Sequence, residues 1–220
     1  KNKNNKVPML FGYNSHEGTL FFPDDEQPTI WIPDLTPGSK KELSTKLKEF
    51  FPVNHEKLID LYNLDEDFTA GGTQWMGDEI FGVNIRYVTR QNEIHGGESY
   101  LYHFSRVPPS NKQTIGAFHA AEIPFVFGSY EKTIGYSKED IKLAELMQNY
   151  WVNFAKNGNP NGDNLPEWPL HKNINWMKFT ANTGENSEAI KYLREEKLDA
   201  LEEGLLLLLA KLEKTHTVGK

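Results

Sequence analysis

Val7-Pro8-Met9-Leu10-Phe11-Gly12-Tyr13-Asn14-Ser15-His16-Glu17-Gly18 is the stretch that decides the fold. Its first seven residues are nearly all apolar, which suits a strand buried on both faces, as in a parallel sheet. A second strand is predicted over Ser99 to Val107, Ser-Tyr-Leu-Tyr-His-Phe-Ser-Arg-Val, which alternates and is rich in aromatics. Pro108, Pro109 and Ser110 end it. Between the two, amphipathic helices are expected over 40–51 and 54–63. A further helix is expected within Gln74 to Gln91, where Ile80, Phe81, Val83, Ile85, Tyr87 and Val88 supply the apolar positions. Four prolines, Pro23, Pro28, Pro33 and Pro37, make 23–38 irregular surface chain. Ser137-Lys138-Glu139-Asp140 opens a long helix to Ala155 with a capping-box-like start, and Gly158 sits where it should stop. Asn159-Pro160-Asn161-Gly162 is turn chemistry. Glu167-Trp168-Pro169 and Trp176-Met177-Lys178-Phe179 suggest a meandering edge segment. A last helix spans 193–214, with Leu198, Leu201, Leu205, Leu208 and Leu212 on one face. Two strands with helices between and after them indicate the tail of an α/β sheet.

The chain has 220 residues, no cysteine, and 31 acidic against 24 basic residues, for a net charge of −7. That balance removes the electrostatic basis for holding phosphate backbones, so no nucleic-acid partner is expected. Without cysteine there is no disulfide framework, thiolate nucleophile or Cys-based metal site. The aliphatic run Leu205 to Ala210 is far too short to cross a bilayer. Lys1-Asn2-Lys3-Asn4-Asn5-Lys6 is polar, and no signal-peptide core follows it. The compartment stays open between secreted and cytoplasmic. The chain does not start with Met, and a strand-like segment begins almost at once, so the expectation is a cut chain. Its 220 residues read as one segment of a single domain, with no repeat and no linker.

Two segments could carry chemistry: Gly12 to Gly18 after the first strand, and Gly116-Ala117-Phe118-His119-Ala120-Ala121-Glu122 after the second. In open α/β sheets reacting groups gather beyond the carboxyl ends of strands. An acid after one strand and a His after the next is the order in which α/β-hydrolases place Ser, acid and His. The carboxylate of Glu17 could fix the tautomer of the His119 imidazole, whose other nitrogen could take a proton from an attacking hydroxyl. On residues alone, a Glu in a Gly-flanked turn is more often a solvated or capping acid, and a lone loop His more often structural.

The chain resembles the C-terminal part of type-B carboxylesterases, the carboxylesterase/cholinesterase family. Gly12-Tyr13-Asn14-Ser15-His16-Glu17-Gly18 matches the family's Gly-x-Asn-x-x-Glu-Gly motif. Gly116 to Phe127 matches Gly-x-x-His-x-x-Glu-[Ile/Leu]-x-[Phe/Tyr]-[Val/Leu]-Phe. Tyr100 to Phe104, Tyr150 to Asn161 and Trp168-Pro169 also fit, so the resemblance covers about residues 7–205. It implies the C-terminal portion of an α/β-hydrolase fold, with the upstream sheet and nucleophile elbow missing. It further implies a serine esterase acting through an acyl-enzyme, with Glu17 as catalytic acid and His119 as catalytic histidine. No Gly-x-Ser-x-Gly occurs in the chain, and Ser15, Ser105, Ser110, Ser129 and Ser137 lack that context. The nucleophile and the oxyanion loop are therefore expected in an N-terminal remainder of the same protein, and the chain alone is expected to be inactive. A small-molecule ester is the implied substrate, and no cofactor is implied. The alternative is a non-catalytic, cholinesterase-like adhesion or binding protein; such relatives often lose a triad member, whereas both members expected in this chain are present, which favours the enzyme.

Phe118 either lines the substrate cleft or packs into the core. Glu122 could hold the histidine loop through buried hydrogen bonds, and His16 should point away from Glu17. Asp78 falls near a family position where a buried acid often braces the active-site side. His55, His95, His103, His171 and His216 show no metal-ligand spacing, so no metal is expected. Trp31, Phe50, Phe51, Trp75, Trp151, Trp168 and Trp176 are expected mostly in the core, with some aromatics of 23–38 lining an acyl or alcohol pocket. The broad Leu face of the last helix resembles the C-terminal helix through which some family members form a homodimer; packing on the protein's own body is the other use.

Overall fold

A computed structural model describes residues 5–21, 39–110, 113–129, 135–182 and 184–218. The Pro-rich 23–38 segment and Trp31 lie outside the described residues. Strand β1 (Met9–Asn14) leads into a 3-10 turn, Glu17–Leu20. Helices α1 (Lys40–Phe50), α2 (His55–Leu61) and α3 (Phe68–Gly77) follow, and a π-helical turn, Asp78–Gly82, joins α3 to α4 (Val83–Ile94). After β2 (Ser99–Phe104) come α5 (Ile123–Phe127), α6 (Lys138–Asn157), β3 (Asn175–Phe179), β4 (Glu188–Lys191) and α7 (Glu195–Val218). The sheet order is β1-β2-β3-β4, parallel across β1, β2 and β3 and antiparallel at β4. Among the described residues the two strands expected from sequence are thus part of a four-stranded sheet. The segment Trp176 to Phe179 is not a meandering edge but an interior strand, and the edge falls to β4.

All six residues of β2 are buried because both faces of the sheet are covered. Tyr100, Tyr102 and Phe104 point into a layer built on α5 and α6, with Phe125, Leu143, Met147, Tyr150 and Trp168. Leu101 points the other way, to Tyr13, Trp176 and Leu198. Trp168 anchors the first layer, stacking edge-on against Tyr100, Tyr102 and Tyr150 while its indole N–H donates to the Leu101 carbonyl at 3.1 Å. A third cluster joins α1 to α4 and the start of α7 through Leu43, Leu47, Phe51, Leu58, Tyr62, Trp75 and Leu201. Phe50 departs from the expected core and is exposed; Leu206 and Leu207 on α7 are exposed too. No helix among the described residues is long and apolar enough to cross a membrane.

Candidate active site

β1 and β2 end side by side, with Asn14 opposite Phe104, so the loops after both strands emerge at one end of the sheet. The backbone joins these loops directly. His16 N–H donates to the Ala117 carbonyl at 3.0 Å, and His16 and Phe118 form a parallel bridge. The motif glycines allow the close fit. A Cβ on Gly12 would lie 2.2 Å from the Tyr102 ring, and one on Gly18 would lie 1.8 Å from the Thr73 carbonyl oxygen of α3. Packing, rather than turn conformation, therefore requires glycine at both positions. Gly116 meets both demands: its φ is +68°, and a Cβ would lie 2.5 Å from the His16 ring.

Within this frame Glu17 Oε2 lies 2.7 Å from His119 Nδ1. The carboxylate side chain is only 6% exposed, whereas the imidazole is 44% exposed. Glu17 Oε1 accepts the Asn14 backbone N–H at 2.7 Å. Burial pushes the Glu17 carboxyl above its ordinary value; the Asn14 and His119 hydrogen bonds pull it down without cancelling that push, and the nearby Glu122 adds to it. Phe81, from the π-helical turn, lies against the His119 ring with centroids 5.4 Å apart. Nothing in the sequence pattern of 74–91 singled out Phe81 for this contact, because it reads there as one more core position. The arrangement holds a buried carboxylate on one imidazole nitrogen and leaves the ring half in solvent.

Phe118 is half-buried and packs beside the α5–α6 cluster, and its carbonyl accepts from Asn14 Nδ2 at 2.8 Å. Glu122 accepts from the same nitrogen at 2.5 Å. His16 turns to Ser15 Oγ at 2.8 Å and to the Ala117 N–H at 3.3 Å, and takes no part in the Glu17–His119 contact. Burial, and secondarily the charge of Arg194, lowers its affinity for a proton. Asp78 is fully buried and accepts from the hydroxyls of Tyr13 and Tyr62, each at 3.0 Å, and from Arg194 Nη1 at 2.6 Å. Arg194 Nη2 also reaches the Ser15 carbonyl at 3.4 Å. The acid thus braces the turn that carries Glu17, and Arg194 is a member of that brace that sequence reading did not find. Among the described residues no cluster of His, Asp and Glu could hold a metal ion.

A family model described as the carboxylesterase family matches residues 1–201. Carboxylesterase 1F of Mus musculus is 28% identical over 201 residues, which cover 85% of this chain and 35% of that protein. Carboxylesterase 1E of Mus musculus is 32% identical over 176 residues, covering 75% and 31% respectively. A solved structure of PNB esterase superposes with a TM-score of 0.67 at 24% identity, over 89% of this chain and 38% of that one. The chain spans about a third of the length of the curated relatives it matches. Its open sheet with helices on both faces is a partial α/β-hydrolase fold, and by the match over residues 1–201 the chain belongs to the carboxylesterase family.

Proposed function

We propose that this chain supplies the acid and the histidine of a Ser-Glu-His carboxylic-ester hydrolase whose serine lies in polypeptide outside these 220 residues. The observation that carries this reading is the 2.7 Å contact between buried Glu17 and half-exposed His119. With Nδ1 held by the carboxylate, Nε2 is the nitrogen left to handle protons. In the first step the serine hydroxyl attacks the ester carbonyl and its proton passes to Nε2, while Glu17 stabilises the imidazolium. The proton then goes to the departing alkoxide, leaving an acyl-serine. Water attacks that acyl group, its proton again passing to Nε2, and the acid is released as the serine regains its hydroxyl. The substrate is a small uncharged or weakly polar ester, bound against His119 and the Phe118 side of the loop. Membership of the carboxylesterase family supports this chemistry, and the lack of Gly-x-Ser-x-Gly in the chain is the reason for putting the serine outside it.

In the intact protein His119→Ala should lower turnover of a chromogenic ester by about 10⁴-fold. The protein should still fold, with only a modest fall in unfolding temperature, because the ring is 44% exposed and what is lost is one hydrogen bond to the Glu17 carboxylate. Retained turnover would overturn the assignment. The 220-residue chain by itself should not hydrolyse the ester, and serine-dependent hydrolysis by it would show that the nucleophile lies within the chain.

A further inference from the structure

Besides the His16 contacts, the two loops that bring Glu17 and His119 together are joined by the side chain of Asn14. Its backbone N–H holds Glu17 Oε1 at 2.7 Å, which leaves Oε2 to His119. Its amide nitrogen donates at once to the Phe118 carbonyl at 2.8 Å and to Glu122 Oε2 at 2.5 Å. These acceptors flank His119 on either side in the chain. Between them Ala120 has φ +68°, a conformation that costs a residue with a Cβ about 1 kcal/mol and persists where the surroundings over-determine it. Asn14 Oδ1 is buried with no hydrogen-bond partner, a state that costs roughly 1–3 kcal/mol. A small apolar residue at this position would avoid that cost. What it could not supply is a nitrogen donating two hydrogen bonds between the loops. Aspartate has the same shape but would face two acceptors with two more.

We propose that Asn14 and Glu122 are positioning residues that clamp the His119 loop on both sides of the imidazole and so set the hydrogen bond to Glu17. The proposal rests on the ester-hydrolase reading of Glu17 and His119. Asn14 is buried and Glu122 half-buried, and both act through the His119 loop. The backbone bridge between His16 and Phe118 fixes the loop ahead of His119, while the carboxylate of Glu122 is the tether behind it. Loss of the clamp should therefore loosen the ring without altering the surface that receives the ester. The effect should fall on kcat and not on KM.

The test uses the intact protein, with kcat and KM for a chromogenic ester and the downfield proton resonance of the His119 Nδ1–H as readouts. His119→Ala and Glu17→Gln identify that resonance by removing it. Asn14→Asp should lower kcat on the order of 10- to 100-fold with KM within about twofold, and should weaken or abolish the resonance. The double variant Asn14→Asp with Glu122→Gln reverses donor and acceptor on the Glu122 arm, while the Phe118 carbonyl still faces a carboxylate, so it should recover part of the lost kcat, about threefold or more. Should Asn14→Asp not fold, Glu122→Ala, at a half-buried site, carries the test and should give the same fall in kcat at unchanged KM. A wild-type kcat and resonance in the variant tested, or no recovery in a folded double variant, would overturn the clamp. A Glu17→Gln protein that keeps both full turnover and the resonance would instead overturn the underlying reading of Glu17 and His119.

Discussion

At Glu17 stability and chemistry pull against each other. The folded protein raises this carboxyl above its ordinary value of 4.5, chiefly by burial. Between the unfolded and the folded value the native state holds more proton than the unfolded chain. Stability therefore falls as pH rises through that window, and the whole penalty is present above it. Glu17→Gln removes the charge yet keeps an oxygen for the Asn14 N–H and offers an amide nitrogen to His119 Nδ1. The variant should thus unfold at a higher temperature than the wild type at pH 7. The gap should open as pH rises from about 4.5. Its turnover should fall by about 10⁴-fold, because the amide holds the imidazole in the wrong tautomer. A gap in unfolding temperature of the same size at pH 4 and pH 7 would contradict the burial account. His103 shows the same physics in a residue without a reaction to serve. Burial holds it well below the ordinary histidine value and so neutral, with the Tyr13 ring against it at 4.8 Å.

Among the elements, α6 illustrates which features a sequence displays. Ser137 and Asp140 form a reciprocal cap, and Gly158 closes the helix in the left-handed conformation at φ +71°. The sequence 137–158 shows both ends because capping is local. What it hides is that Asp140 is fully buried and held by Arg106, from the chain after β2, through contacts of 2.6 and 3.0 Å. Burial raises this carboxyl, but the Arg106 and Ser137 hydrogen bonds outweigh it and hold it below its ordinary value of 3.8. Its stabilisation is therefore present above pH 3.8 and lost as pH falls through the folded value. Ser137→Ala should cost about 1 kcal/mol. Asp140→Asn should cost roughly 2–3 kcal/mol at pH 7, by denaturant titration, because it removes the charge that holds Arg106, which keeps the Asn182 contact. The difference from wild type should shrink in acid, and a difference constant down to pH 2 would refute the ion-pair account. The same contrast explains the strands. β1 and β2 are legible because each is a continuous apolar or aromatic run. β3, Asn-Trp-Met-Lys-Phe, is short and its Lys178 breaks the run, so only its pairing with β2 on one side and β4 on the other makes it a strand. The motif residues Glu17 and His119 were visible as spaced signals. Phe81, Arg194 and the double hydrogen bond of Asn14 depend on distances across the fold that no local pattern encodes.

For the whole molecule the sheet is asymmetric, and that asymmetry is measurable. Among the described residues β2 has a parallel neighbour on each side and is buried at every position, whereas β1 has one neighbour and exposes Phe11. Val88 of α4 is likewise exposed. An unpaired strand edge beside apolar surface is a place where another strand adds. If the nucleophile lies in further polypeptide of the same protein, as proposed above, that polypeptide has this edge to pair with, and the Glu17–His119 loops open at the end of the same strand. Amide hydrogen exchange separates the possibilities. In the 220-residue chain the amides of β2 and β3 should exchange slowest, and β1 should contain amides that exchange orders of magnitude faster on its open side. In the intact protein those β1 amides should become as slow as the ones in β2. The Ser105 amide, already bonded to the Phe179 carbonyl at 2.9 Å, serves as an internal reference that should not change. Equal protection of β1 in both proteins would make it a true edge strand, and the serine would then have to reach His119 by a route that leaves this edge uncovered.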